Sequence, residues 1–119
     1  MDVKLFDSEL KVMETVWKEG NLTAGQIAKI LKEQTGWNRN TTYTVIKKLI
    51  DKNAIERSGS KFTCKALITK EQVQRYEAAE LMGKLFDDSA EMFLSAFLCD
   101  KKLSENEIGR LKQLVESLK

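Results

Sequence analysis

Apolar residues near the start of the chain recur at spacings of three and four, the period of an amphipathic helix. This pattern predicts a first helix over residues 8–19, with a cap at Asp7 or Ser8 and an end at Gly20. Its apolar face holds Leu10, Met13, Val16 and Trp17. A face of this kind has to pack against other elements, so the helix is expected to contribute to a core.

Two further helices follow, and each begins after a residue that can cap it. Thr23 and Gln26 have the spacing of a capping box, which predicts a second helix to about Thr35. Asn38 is a suitable cap for a third helix over residues 39–52. The apolar face of this third helix holds Thr42, Val45, Ile46, Leu49 and Ile50.

The pattern then changes from helical spacing to alternation of apolar and polar residues. Residues 55–58 and 61–66 alternate in this way on either side of Gly59, which predicts a β-hairpin. Three helices followed by a hairpin form the outline of a winged helix. We therefore predict a mainly α protein with a winged helix-turn-helix domain at residues 1–67.

Three amphipathic helices are predicted in the rest of the chain, residues 68–119. Thr69, Ser89 and Ser104 are suitable caps for them. Fifty residues are too few to bury a large core alone, so this region is expected to be a three-helix dimerisation domain. The residues expected in the dimer contact are Val73, Tyr76, Leu85, Phe86, Met92, Phe93, Phe97, Ile108, Leu111, Leu114, Val115 and Leu118. The alternative is that these helices pack over the winged helix of the same chain.

Composition excludes several classes of function. No apolar run is long enough for a membrane helix and the N-terminus has no signal pattern, so membrane insertion is not expected and the protein is expected to be cytoplasmic. The chain has no histidine, and Cys64 and Cys99 are isolated, so neither a metal site, another cofactor nor a disulfide is expected. It also lacks a glycine-rich phosphate loop and a GxSxG element, and we expect no catalytic residues and no enzyme activity.

Charge is distributed unevenly along the chain. The net charge is only +2, but residues 37–66 contain seven basic and two acidic side chains, a net +5. Residues 67–119 contain eight basic and ten acidic side chains, a net −2. The two halves are therefore expected to have different partners.

The third helix is predicted to present a polar face suited to the major groove of DNA, which accepts one α-helix. On a helical wheel this outer face holds Asn40, Tyr43, Thr44, Lys47, Lys48 and Asp51. Asn40 has an amide suited to adenine, Thr44 has a hydroxyl and a methyl group, and Tyr43 is placed for the sugar-phosphate backbone or a thymine methyl. The two lysines are expected at phosphates or a guanine edge.

Other residues in this region are predicted to bind phosphate groups without reading sequence. They are Asn38, Arg39 and Thr41 at the start of the helix, and Arg57, Lys61 and Lys65 in the hairpin. Double-stranded DNA is therefore the expected partner. Two alternatives remain at this point: a solvated helix face with no partner, and a protein-interaction module whose basic hairpin binds an acidic protein.

Three segments resemble the penicillinase repressor family of BlaI and MecI type. They are LKVMETVWKEG at residues 10–20, LTA at residues 22–24, and Trp37 with TTYTVIKKL at residues 41–49. The similarity extends through residues 103–108 to the last helix. It implies an N-terminal winged helix, a C-terminal helical dimer and binding to inverted repeats in promoters of β-lactam resistance genes.

The resemblance also implies how repression ends. In the family, a pathway started by a membrane-bound β-lactam sensor with a metalloprotease domain cleaves the repressor in its dimerisation region. The family's scissile Asn-Phe pair falls on Ala96 and Phe97 here, so Phe97 matches and Ala96 does not.

Other departures concern the DNA-reading segment. Asn38, Arg39 and Asn40 stand where the family usually has Ser-Pro-Lys, and Tyr43 and Lys47 also replace common residues. The operator sequence is therefore expected to differ from that of the staphylococcal type, and a repressor of the same fold with an unrelated regulon remains an alternative. A copper-responsive branch of this fold has a cysteine-rich C-terminal motif, and copper sensing is disfavoured because this chain has only one cysteine there.

Overall fold

The computed structural model of the protein describes residues 4–99 and 102–117. Within these residues it has six α-helices and three β-strands, and the chain divides into two compact units, residues 1–78 and 79–119. The elements of the first unit are α1 (Asp7–Glu19), β1 (Leu22–Thr23), α2 (Ala24–Thr35), α3 (Arg39–Asp51), β2 (Ile55–Ser58) and β3 (Thr63–Ala66). Then come α4 (Lys70–Leu85), which crosses the division, and α5 (Ala90–Cys99) and α6 (Glu105–Ser117).

Most helices begin at the caps that the sequence predicts. Thr23 Oγ1 accepts the N–H of Gln26 at 3.2 Å, and Gln26 Oε1 accepts the N–H of Thr23 at 2.9 Å. Asn38 Oδ1 accepts the N–H of Thr41 at 2.8 Å. Thr69, Ser89 and Ser104 likewise accept the N–H of the residue three positions later. These bonds satisfy N–H groups that have no partner inside a helix, which explains why local sequence is enough to predict them.

The first helix is different, and its predicted cap was wrong. Its N-cap is Phe6, which is extended, and neither Asp7 nor Ser8 caps it. Glu9 reaches back instead, and its Oε1 accepts the N–H of Phe6 at 2.8 Å. The start of α1 therefore depends on a glutamate in its first turn.

The predicted hairpin is present and belongs to a three-stranded antiparallel sheet of order β1-β3-β2. The sequence did not predict β1, which is only two residues long and pairs Leu22 with Cys64. The second hairpin strand starts at Thr63 rather than at residue 61. Phe62 has a φ of +56°, a left-handed conformation that no strand residue adopts, and it delays the strand.

The core of the first unit lies between the three helices and the sheet, and it continues into α4. Its fully buried large residues include Met13, Ile27, Leu31, Ile46, Leu49 and Ile55. Ile68 and Val73 join this core, and Trp17 Nε1 donates to the carbonyl of Ile68 at 3.0 Å. The unit therefore extends beyond residue 67, and Val73 is a core residue rather than part of a dimer contact.

The second unit exposes most of its apolar side chains. No described residue of α5 or α6 is buried. Phe93 packs edge-on against Phe86 at 5.3 Å and stacks on Phe97 at 6.3 Å between ring centroids. The large exposed apolar residues here are Leu81, Leu85, Met92, Leu94, Phe97, Ile108, Leu111, Leu114 and Val115. Of the other residues expected in a dimer contact, Tyr76, in the first unit, is half-buried, and Leu118 lies outside the described residues.

Candidate nucleic-acid interface

The helix α3 has one buried side and one exposed side, as the sequence predicts. Thr42, Val45, Ile46 and Leu49 are buried. The exposed side chains on the helix and at its start are Asn38, Arg39, Asn40, Thr41, Thr44, Lys47, Lys48 and Asp51. Apart from Asp51, these are seven of the eight residues on or next to this helix that the sequence predicts to contact DNA, and Tyr43 is the exception.

Several of these polar side chains already make hydrogen bonds inside the helix. Thr44 Oγ1 donates to the carbonyl of Asn40 at 2.9 Å, so its lone pairs and methyl group remain for a partner. Asn38 Oδ1 accepts both the N–H and the hydroxyl of Thr41, at 2.8 and 3.0 Å. The amide NH₂ of Asn38 is therefore its remaining polar group for an external phosphate.

Tyr43 does not lie on the exposed face that the helical wheel predicted. It is half-buried against the core, and its ring centroid lies 6.1 Å from that of Phe62. Its hydroxyl accepts hydrogen bonds from Arg39 Nε at 3.2 Å and Nη2 at 2.8 Å. The wheel missed this because the wheel describes one helix, whereas Phe62 comes from the hairpin.

The hairpin presents the three basic residues that the sequence singled out. Arg57, Lys61 and Lys65 are all exposed, and the guanidinium carbon of Arg57 lies 3.9 Å from the centroid of the Phe62 ring. Lys65 pairs in register with Glu56 on the neighbouring strand, so an acidic residue is its cross-strand neighbour. Lys61 lies in the turn, beyond the ordered pairing of the strands.

Cys64 is buried in the sheet opposite Arg57. Burial raises the pKa of the Cys64 thiol above its ordinary value, and the nearby positive charge of Arg57 opposes this only in part. The thiol is therefore protonated near neutral pH, which makes it a core residue and a poor nucleophile. The part of the chain that the structure describes holds no group of three or more cysteine or acidic residues arranged for a metal ion.

A partly buried ion pair at the end of α3 was not predicted. Lys52 Nζ lies 2.6 Å from Oε1 of the buried Glu9 and 3.0 Å from the carbonyl of Lys4, and it sits 4.6 Å from the centroid of the Phe6 ring. No sequence pattern joins residues this far apart. Because Glu9 balances Lys52, one of the seven basic charges counted in this region is not available to a partner.

None of the helices in residues 4–99 and 102–117 combines the length and the apolar character needed to cross a bilayer.

A model of the penicillinase repressor family matches residues 5–117. The penicillinase repressor of Bacillus licheniformis is 25% identical over 118 residues, covering 98% of this chain and 92% of the relative. The methicillin resistance regulatory protein MecI of Staphylococcus aureus is 22% identical over 120 residues, covering 97% and 98%.

Solved structures agree with this relationship. The solution structure of the DNA-binding domain of the repressor BlaI has a TM-score of 0.55 and 25% identity, covering 59% of this chain and 88% of that one. Monomeric BlaI from Bacillus licheniformis in complex with the blaP half-operator has a TM-score of 0.52 and 26% identity, covering 60% and 89%. These relatives confirm the predicted winged helix and the expectation that the chain is not an enzyme. Since the family model spans nearly all of the sequence, this chain belongs to the penicillinase repressor family of transcriptional repressors.

Proposed function

We propose that the chain represses transcription by binding double-stranded operator DNA with α3 and the hairpin. The observation that carries this proposal is the exposed face of α3, where Asn40, Thr44, Lys47 and Lys48 lie together above a buried apolar side. One α-helix fits the major groove, and these side chains can donate, accept and contact a thymine methyl. The half-operator complex of the Bacillus licheniformis relative supports the same use of this fold.

The residues divide into those that read bases and those that hold phosphates. Asn40 has the amide suited to adenine, Thr44 contacts a base edge through its methyl group, and Lys47 and Lys48 reach a guanine edge or phosphate groups. The phosphate-binding residues are Asn38, Arg39, Thr41, Arg57, Lys61 and Lys65. Tyr43 contributes through Arg39, because its ring is half-buried beside Phe62 and its hydroxyl holds the Arg39 guanidinium.

The repressor acts as a homodimer in this proposal, joined by the second unit. Apolar side chains of α5 and α6 are exposed within one chain and line a groove of about 920 Å³. Leu94, Phe97, Ile108, Leu111 and Val115 are among the residues that line it. A monomeric form of the Bacillus licheniformis relative binds a half-operator, so a complete operator with two halves fits two copies.

Repression ends when the chain is cut between Ala96 and Phe97, the position that matches the family's scissile pair. The bond lies inside α5, where the Phe97 ring stacks on Phe93. A cut there would separate α6 from the rest of the chain and remove its share of the dimer contact. We propose a β-lactam-sensing membrane metalloprotease pathway as the source of the signal and a β-lactamase or related resistance gene as the target.

Selection of bound duplexes from a random pool, with the purified protein, tests DNA recognition directly. We expect enrichment of an inverted repeat, because each half would bind one subunit of the dimer. The two halves should be spaced by about one helical turn or a related distance. An enriched site without such symmetry would contradict the dimer, and no enrichment at all would favour the protein-interaction alternative.

A further inference from the structure

Four side chains form a continuous stack between α3 and the hairpin, in the order Arg39, Tyr43, Phe62 and Arg57. The Arg39 guanidinium bonds the Tyr43 hydroxyl and lies 5.1 Å from the centroid of that ring. The Tyr43 and Phe62 centroids are 6.1 Å apart, and the guanidinium carbon of Arg57 lies 3.9 Å from the Phe62 centroid. The stack therefore has a guanidinium at each end and two half-buried rings between them.

The rings hold both guanidiniums without using up their hydrogen-bonding edges. Two of the five N–H groups of Arg39 bond the Tyr43 hydroxyl, and three remain for a ligand. The guanidinium carbon of Arg57 lies 3.9 Å from the Phe62 centroid, a separation too short for an edge-on approach, so a stacked arrangement that leaves the N–H groups at the rim of the contact fits it best. Both arginines are exposed. This combination of a fixed cation and open donors is suited to binding an oxyanion with two oxygens.

The centre of the stack is fixed to the rest of the first unit. The Phe62 backbone has a φ of +56°, which is rare for an aromatic residue, and its carbonyl accepts the N–H of Ala24 at 2.9 Å. Arg39 Nη2 and the Tyr43 hydroxyl also lie within 3.9 Å of where a side chain on Gly25 would begin. The stack thus rests against the start of α2 as well as joining α3 and the hairpin.

From this geometry we infer that Arg39 and Arg57 form a preorganised two-point phosphate site, and that Tyr43 and Phe62 are its positioning residues. The ligand is a pair of phosphodiester groups of the DNA backbone, so the inference rests on the proposed function. An immobilised side chain loses less conformational freedom on binding, and the stack holds both arginines before DNA arrives. Tyr43 therefore increases affinity through Arg39, and Phe62 through Arg57.

The test is a double-mutant cycle with Tyr43→Phe and Arg39→Ala, measured by binding to a mixed-sequence duplex and to the duplex enriched by selection. Tyr43→Phe keeps the ring and removes only the hydroxyl that holds Arg39. We expect it to weaken binding about two- to tenfold, the cost of immobilising one long side chain. The same change should have no effect when Arg39 is already alanine.

A second cycle uses Phe62→Leu and Arg57→Ala, which should behave in the same way, with thermal unfolding as a check that the hairpin remains folded.

Arg39→Ala and Arg57→Ala should each reduce the slope of log affinity against log salt concentration by about one. Arg75→Ala is the matched control, because it removes an exposed arginine from α4 and should leave the slope unchanged.

Each outcome has a distinct meaning. If Tyr43→Phe weakens DNA binding by the same factor in proteins with and without Arg39, Tyr43 does not position Arg39. If the slope of log affinity against log salt concentration is unchanged in Arg39→Ala or in Arg57→Ala, the phosphate site is overturned. In both cases binding by the unaltered protein would leave the proposed function intact. Binding of polyglutamate but of no duplex would overturn both proposals and assign the arginines to an acidic protein.

Discussion

At the residue scale, Asn40 and Lys61 lie in different parts of the proposed DNA surface and should affect binding differently. Asn40 is on the exposed face of α3, whereas Lys61 is in the hairpin turn. Asn40→Ala should reduce affinity for the selected duplex by about tenfold and affinity for a mixed-sequence duplex much less, because amide-to-adenine bonds discriminate between bases. Lys61→Ala should weaken both by similar factors and reduce the salt slope by about one.

Titration of both duplexes with both variants, at several salt concentrations, measures this contrast. Thr44→Ala provides a second variant on the reading face and should follow Asn40→Ala. If both α3 variants weaken the two duplexes equally, α3 does not read bases and its assignment as the reading element is wrong.

Individual residues show which features the sequence predicts and which it does not. Asn38, Thr69 and Ser104 were predicted as caps because a cap depends on residues three positions away. Tyr43 was misplaced because its environment comes from Phe62 in a different element. The sequence does not predict the positive φ of Phe62, since such conformations favour glycine and asparagine.

At the scale of elements, the ion pair between Glu9 and Lys52 joins the start of α1 to the end of α3. Glu9 is buried, and its Oε2 has no hydrogen-bond partner among the described residues, so Lys52 and the Phe6 N–H compensate its charge. Lys52→Met should therefore destabilise the protein by about 2 kcal/mol, because it leaves a buried carboxylate without its cation. About a third of the Lys52 side chain is exposed, which keeps the cost below that of a fully buried pair.

Urea unfolding of Lys52→Met, of Glu9→Gln and of the double variant measures this effect. Glu9→Gln should cost less, since Lys52 can turn towards water and the glutamine oxygen can still accept the Phe6 N–H. The double variant should be more stable than Lys52→Met alone. A Lys52→Met protein as stable as the unaltered one would mean that the pair contributes nothing.

The order and type of the helices and of the hairpin were predictable from the sequence, and their mutual packing was predictable only in part. The helical spacing of apolar residues predicted α1, α2 and α3, and the alternation of apolar and polar residues predicted the hairpin. The short strand β1 carried no periodicity, and it exists because β3 offers it a partner. The same limit applies to Val73, whose apolar character indicated burial but not against which surface.

At the scale of the whole molecule, the second unit should determine whether the repressor is dimeric. A chain truncated after Ala96 should be monomeric and should bind the selected inverted repeat about 100-fold more weakly, because the two half-sites would no longer be bound by one linked pair. Leu111→Glu should have the same effect in the chain without truncation, since Leu111 is exposed in the groove lined by α5 and α6. Light scattering gives the mass, and titration gives the affinity.

Gln113→Glu is the matched control, because it adds the same charge to α6 at an exposed polar position. It should remain dimeric with unchanged affinity. A truncated chain that keeps a dimeric mass and full affinity would contradict both the role of the second unit and the proposed effect of cleavage.

The lack of buried residues in the described parts of α5 and α6 has a consequence for regulation. If a second copy supplies the missing core, the stability of this unit depends on protein concentration, because assembly and folding become one equilibrium. Operator occupancy would then rise more steeply than in proportion to the amount of repressor. A modest fall in copy number, by proteolysis or by dilution during growth, would be amplified into release of the promoter.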